Sequence, residues 1–162
     1  MQIVIAPTVT KLPAGAARAV LVTGSHGGVY PGQLAALAGV RAAIFHDAGI
    51  GRAEAGIASL ALLQGIGIAA AAVSHLSARV GDAGDMMARG VISRANAAAA
   101  AGGVMAGMAC AVAAELLGSA PLRQGRLDAA EERRNVIAAM PRASNAGSRA
   151  MPACSMPMPA SL

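Results

Sequence analysis

Residues 18 to 28 read RAVLVTGSHGG, residues 40 to 51 read VRAAIFHDAGIG, and residues 66 to 75 read IGIAAAAVSH. Each is an apolar run that stops abruptly at polar residues, and none alternates between apolar and polar positions. A strand with one wet face would alternate, so these runs predict strands covered on both faces, at Arg18–Thr23, Val40–Phe45 and Ile66–Val73. Between the first two, Pro31 to Gly39 predicts a helix with proline in its first turn and glycine at its end. Between the second and third, Gly51 to Gly65 predicts a longer helix with Ile57, Leu60 and Leu63 toward one side. The unit strand, helix, strand thus occurs twice. The expected fold is a three-layer α/β/α domain with a mainly parallel sheet, a βαβαβ core and right-handed crossovers.

Upstream, residues 1 to 18 read as an N-terminal extension. The apolar patch Ile3 to Ala6 is cut by Pro7 and no charged segment precedes it, which argues against a secretory signal. Downstream, Ser93 to Leu117 is expected to form a long Ala/Gly-rich helix, with Gly102, Gly103 and Gly107 permitting close packing against a partner rather than marking a break. Its portion from Ala97 onward is the one candidate membrane span, but Ala, Gly and Glu115 there favour a buried helix over an inserted one. Arg126 to Met140 could form a charged amphipathic helix, and Pro141 to Leu162 shows no period. The resulting division is a single α/β domain over 19–140 and a disordered or loosely docked tail over 141–162. Glycine-lined packing on the long helix also suggests a homo-oligomer.

Composition narrows the function. The chain has 162 residues, 56% hydrophobic and 13% charged, enough for one buried core and too apolar for disorder in its central stretch. Tyr30 and Phe45 are its only aromatic residues, so stacking platforms for single-stranded nucleic acid and aromatic cages lack building material. The net charge of +5 comes from Lys11 and scattered arginines, adjacent only at Arg133 and Arg134. No basic stripe results, and neither nucleic acid nor a membrane surface is an expected partner. Cys110 and Cys154 are isolated from one another, which suggests a reducing compartment, the cytoplasm, without disulfide or metal chemistry.

Ligands of open parallel sheets collect beyond the carboxyl ends of the strands. All three histidines lie at predicted strand ends, in GSHGG (24–28), HDAGIG (46–51) and SHLSAR (74–79). An isolated strand-end histidine often only bonds a carbonyl, but three such ends each carrying one make a site the better reading. His26, Asp47 and His75 are the candidate catalytic residues, because imidazole exchanges protons near neutrality and a carboxylate can orient it. Gly24, Ser25, Gly27, Gly28, Gly49 and Gly51 are candidates for an anion cradle of backbone amides. Arg52, Ser77 and Arg79 are candidates for substrate anchoring, set against ordinary ion pairs with Glu54, Asp82 or Asp85.

Other chemistries fit less well. No Gly-Lys-Ser/Thr follows the glycines and the dinucleotide spacing is missing, so no nucleotide cofactor is implied. Asp82 and Asp85 in GDAGD lack a clear third ligand, and no metal is assigned. Ser25, His26 and Asp47 contain the parts of a nucleophilic triad, but a Ser and His adjacent on one loop rarely face each other, and the G-x-S-x-G elbow is absent.

The stretch Val20 to Val73 resembles the core of caspase-haemoglobinase peptidases, with His26-Gly27 matching their histidine motif. That resemblance would put a nucleophilic cysteine at the end of the second strand. His46, Asp47 and Ala48 stand there instead, which contradicts thiol peptidase activity, and no family is assigned. The expectation is an enzyme using His-centred acid/base chemistry, hydrolase or lyase in type, on a small anionic metabolite carrying a carboxylate or phosphate. In its mechanism His26 transfers the proton. The alternative is a non-catalytic ligand-binding or accessory subunit of the same architecture.

Overall fold

The computed structural model describes residues 1–122. Five strands form one sheet in sequence order: β1 (Ile3–Ala6), β2 (Val20–His26), β3 (Ala42–His46), β4 (Ala69–Val73) and β5 (Ile92–Ala95). The first four run parallel, and β5 pairs antiparallel with β4. Helix α1 (Val29–Leu37) joins β2 to β3, and α2 (Ala58–Gly65) joins β3 to β4. Helices α3 (Ala83–Arg89), α4 (Ala97–Ala101) and α5 (Cys110–Leu117) complete the described chain.

The pleat sends successive side chains to opposite faces of the sheet. Leu21, Ala43, Phe45, Ala70 and Ala72 pack with Ala35 and Ala36 of α1 and with Leu60 and Leu63 of α2. Val20, Val22, Ala42, Ile44, Ala71 and Val73 pack with Met86 of α3 and with Cys110, Ala113 and Leu117 of α5. Every residue of β3 and β4 is buried, as their continuous apolar runs require. Alanine is a weak strand former, yet β4 reads AAAAV. Burial overrides propensity there, because small side chains let helices approach a central strand from both sides.

This topology positions the site. Strands added in one direction by crossovers of one hand leave their helices on one face, which is why α1 and α2 lie together. After β4 the chain changes face, and α3 lies across β2 on the far side of the sheet. The connections leaving β3 and β4 therefore part to opposite faces. A crevice opens between them at the carboxyl ends of the strands.

Two sequence expectations are corrected. Residues 1–18 are not an appendage: Ile3–Ala6 pairs in register with Val20–Thr23 as the edge strand of the sheet. Ser93–Leu117 is not one helix, since it comprises the end of β5, α4, a loop and α5. Asn96 starts α4. Its Oδ1 accepts from the amides of Ala70 at 3.0 Å and Ala99 at 2.9 Å, and its Nδ2 donates to the carbonyls of Leu60 at 3.3 Å and Ile68 at 2.9 Å. A buried amide with all these bonds made both caps the helix and ties it to the sheet. Gly103 and Gly107, at φ of +90° and +88°, then mark a break in the helical run. The loop so formed covers the outer edge of β5, where the Ile92 amide donates to the Met108 carbonyl and the Gly107 amide donates to the Ile92 carbonyl, each at 2.8 Å. The predicted helix Arg126–Met140 and the tail 141–162 lie outside the described residues. Among the described residues no helix is long and apolar enough to cross a membrane.

Candidate active site

The crevice between the β3 and β4 exits is an open cleft of about 530 Å³, lined by His46, Ala48, Gly49, His75, Ala78, Arg79 and Val80. Its polar centre is a pair. The Asp47 side chain is 2% exposed, and its Oδ1 lies 3.0 Å from Nδ1 of His75, whose side chain is 45% exposed. The same oxygen accepts the amides of Gly49 and His75, each at 2.9 Å. Burial is the largest single influence on Asp47 and opposes its ionisation. The amides of Gly49 and His75, the Ser93 hydroxyl and the His75 ring together outweigh it and hold the carboxyl below its ordinary value of 3.8. Asp47 is therefore an anion at neutral pH and can only accept, so Nδ1 of His75 donates to it. The lone pair of His75 is left on Nε2, the arrangement of a general base oriented by a buried carboxylate.

The backbone that carries Asp47 is under strain. Ala48, Gly49, Ile50 and Gly51 all have positive φ, at 49°, 77°, 65° and 72°, and Ala53 and Glu54 follow at 53° and 57°. A β-branched residue such as Ile50 rarely adopts this region, and each such non-glycine residue costs on the order of 1–3 kcal/mol. The turn persists because it is bonded from several sides. The Ile50 amide donates to the Asp47 carbonyl and the Gly56 amide to the Ile50 carbonyl, both at 2.7 Å. A side chain on Gly56 would collide with the Asp47 carbonyl. Strain of this kind, held in place by its surroundings, concentrates at functional sites.

His46 was not among the candidate site residues, yet it lines the cleft. Its Nδ1 accepts the Ala48 amide at 3.0 Å, and its Nε2 donates to the Ala78 carbonyl at 2.9 Å. With both nitrogens engaged, it pins the β4–α3 loop over the end of β3. Arg79 stands on that loop with its backbone fixed, its amide donating to Asp85 Oδ2 at 2.8 Å. The Asp85 carboxylate pairs with Arg89 at 2.6 Å, and Asp82 caps α3 by accepting the Asp85 amide. Among the described residues, the guanidinium groups of Arg79 and Arg52 make no ion pair. Arg79 lines the cleft and Arg52 does not.

The remaining candidates have structural partners. The Ser25 hydroxyl accepts the Val9 amide, and the Ser77 hydroxyl donates to the Ser74 carbonyl while accepting the Val91 amide. Gly24 is needed for contact, since a Cβ there would stand 2.5 Å from the backbone of Gly81. Of the amides expected to form an anion cradle, those of four glycines are bonded within the chain. The Gly27 amide donates to the His46 carbonyl, Gly28 to His26 Nδ1, Gly49 to Asp47 Oδ1 and Gly51 to the Gly49 carbonyl. His26 is exposed on the β2 side of His46 and is not part of the cleft lining. The structure thus brings together Asp47, Gly49, His75 and Arg79. Ala48, Ala78 and Val80 also line the cleft, and nothing in their residue type announced it. Comparisons with models of known protein families, with curated proteins and with solved structures find no match to this chain.

Proposed function

We propose that the cleft is the active site of an enzyme that moves a proton on a small anionic metabolite, with His75 as the base, Asp47 as its orienting anion and Arg79 as the anchor for the substrate's carboxylate or phosphate. The observation that carries this reading is the bond between a buried Asp47 and a half-exposed His75 at the wall of a cleft. Nε2 of His75 takes the proton, and the resulting imidazolium is stabilised by the anion on its other side. A hydrolase would use the base on water, and a lyase would use it on a C–H bond. Arg79 suits planar anions because among the described residues its guanidinium fork makes no ion pair. This reading moves the proton-transfer role from His26 to His75, because among the described residues His75 pairs with a carboxylate and His26 does not. Neither a metal nor an organic cofactor is part of it.

A reducing compartment such as the cytoplasm suits a chain whose buried Cys110 stays a thiol, its pKa pushed up by burial to about 12. The reading as an accessory subunit is favoured by one observation: Leu76 and Val80, beside the base and the anchor, are 86% and 62% exposed. A self-association surface could use the same rim, or Ile5 on the edge strand β1.

A thermal-shift screen with small carboxylates, phosphates and nucleotides tests the reading. Stabilisation by a carboxylate or phosphate that disappears in Arg79→Gln supports it, with about 2.7 kcal/mol expected at a ligand concentration one hundred times Kd. A chain stabilised only by nucleotides, or equally in Arg79→Gln, would sink it. Turnover of the ligand that binds separates enzyme from binding subunit.

A further inference from the structure

His26 and His75 flank the same strand. In the register of the sheet His26 is the partner of His46, and His46 is the partner of Val73, two residues before His75. Neighbouring strands lie about 4.8 Å apart, and paired residues project to the same face. Between Val22 and His26 the register shifts, and the His26 backbone ends up beside His46, just outside the cleft lining, on the side of β3 away from His75.

The two exposed histidines are held with opposite polarity. The Gly28 amide donates to Nδ1 of His26 at 3.0 Å. An amide can only donate, so Nδ1 carries the lone pair and the ring proton stays on Nε2. The ring reaches this position because residue 28 is glycine: a Cβ there would stand 2.6 Å from Cε1 and 2.8 Å from Nδ1 of His26. His75 is the reverse, with Nδ1–H on Asp47 and a bare Nε2. The backbone supplies little else that could donate. The amides of Ala48, Gly49, Ala78 and Arg79, all on cleft residues, are bonded to His46, Asp47, Ser74 and Asp85.

We propose that His26 is the neutral hydrogen-bond donor of this site, and that the substrate is an anion carrying a carbonyl, its oxygen against Nε2–H of His26 and its charged group against Arg79. The proposal rests on the reading of His75 as the base. Attack by a water that His75 deprotonates and removal of a proton beside the carbonyl both place negative charge on the carbonyl oxygen, where a fixed donor stabilises it. Giving up the Nε2 proton would leave an imidazolate, so His26 polarises the oxygen without transferring its proton, as a neutral imidazole electrophile does. The charges balance, with one proton moved to His75, one negative charge on oxygen, and Asp47 beside the new imidazolium.

Long-range 1H–15N spectra of the whole chain, labelled in histidine, test the tautomers. His26 should carry its proton on Nε2 and His75 on Nδ1. Titration then compares pyruvate with propionate, carboxylates of equal length of which only the first has a carbonyl. Pyruvate should bind about tenfold more tightly, the effect of one added hydrogen bond, and should shift the His26 Nε2 signal. His26→Ala should remove that advantage and leave propionate binding unchanged, and Gly28→Ala, which crowds the ring, should reduce it. A proton on Nδ1 of His26, or equal affinity for the two acids in the unaltered chain, overturns the proposal while leaving His75 as the base. Failure of both acids to move the His75 signals ends the reading of the site and this proposal with it.

Discussion

The sheet has two glycine-bearing exits that resemble each other in sequence and are built on different principles. At the end of β2 and just beyond it, Gly24, Gly27 and Gly28 all keep ordinary φ, and each is glycine because something stands where its side chain would be: the Gly81 backbone, the Gly56 carbonyl and the His26 ring. After β3, Gly49 and Gly51 have open space or only distant contacts around them, and each is glycine because its φ is positive. The first exit uses glycine for proximity and the second for conformation. Only the second is strained, and it is the one that carries the buried carboxylate.

The largest expected effect falls on His75, the proposed base, which Asp47 of the strained exit holds. With a substrate in hand, His75→Ala should lower kcat by about 10²–10⁴-fold. His26→Ala should act through polarisation alone and cost less, so a larger loss from His26→Ala in steady-state kinetics would reverse the assignment.

Stability separates the two uses of glycine. Gly24→Ala pushes a methyl group into the Gly81–Asp82 backbone and should cost about 1–3 kcal/mol in denaturant unfolding. Gly51, at φ 72° and ψ −179°, lies in a region essentially open to glycine alone, so Gly51→Ala, which meets no atom within 4 Å, should cost its backbone term, about 1–3 kcal/mol. A Gly24→Ala chain as stable as the parent would remove proximity as the reason for that glycine, and a Gly51→Ala chain as stable as the parent would remove conformation as the reason for the other. Ala48→Gly, which relaxes a positive φ without adding bulk, should change stability by about 1 kcal/mol at most.

Asp47 links the strained exit to pH. Its folded-state pKa lies below 3.8, so its contribution is complete at neutral pH and is lost as pH falls below about 4, through the folded value. Asp47→Asn should cost about 1.5–3 kcal/mol at pH 7, in the range of hydrogen bonds to a charged group. Its midpoint should also change less on acidification than that of the parent chain. Parallel acid profiles for the two chains would remove Asp47 from the account. The smallest effect should be at Cys110, whose thiol, raised to about 12, should resist alkylation in a Cys154→Ser background until the chain unfolds.

How much of this could be read from sequence depended on whether the cause was local. The runs that became β2, β3 and β4 end in glycine or polar residues, and that punctuation is written in the chain itself. Strand β1 was missed because IVIA is short and cut by Pro7, and what makes it a strand is pairing with Val20–Thr23 across the sheet. The helix expected from Ser93 to Leu117 followed the alanines and passed over two local signals, the cap at Asn96 and the glycines at 102, 103 and 107. At the site, Asp47, His75 and Arg79 were visible as residue types. Which histidine met the carboxylate was not, because that contact crosses 28 residues and depends on the register of β3 against β4.

The parting of the two connections also has a mechanical side. One wall of the cleft, Ala48 and Gly49, continues into the layer of α2, and the other, Ala78 to Val80, continues into the layer of α3. Layers packed on opposite faces of a sheet can slide by small amounts without breaking a strand pair, the shear mode of domain motion. Sliding of α3 relative to α2 would then widen or narrow the gap between Arg79 and the base while Asp47 stays fixed to His75. Capture of the anion and alignment of the proton acceptor would thus answer to different moving parts of one small domain.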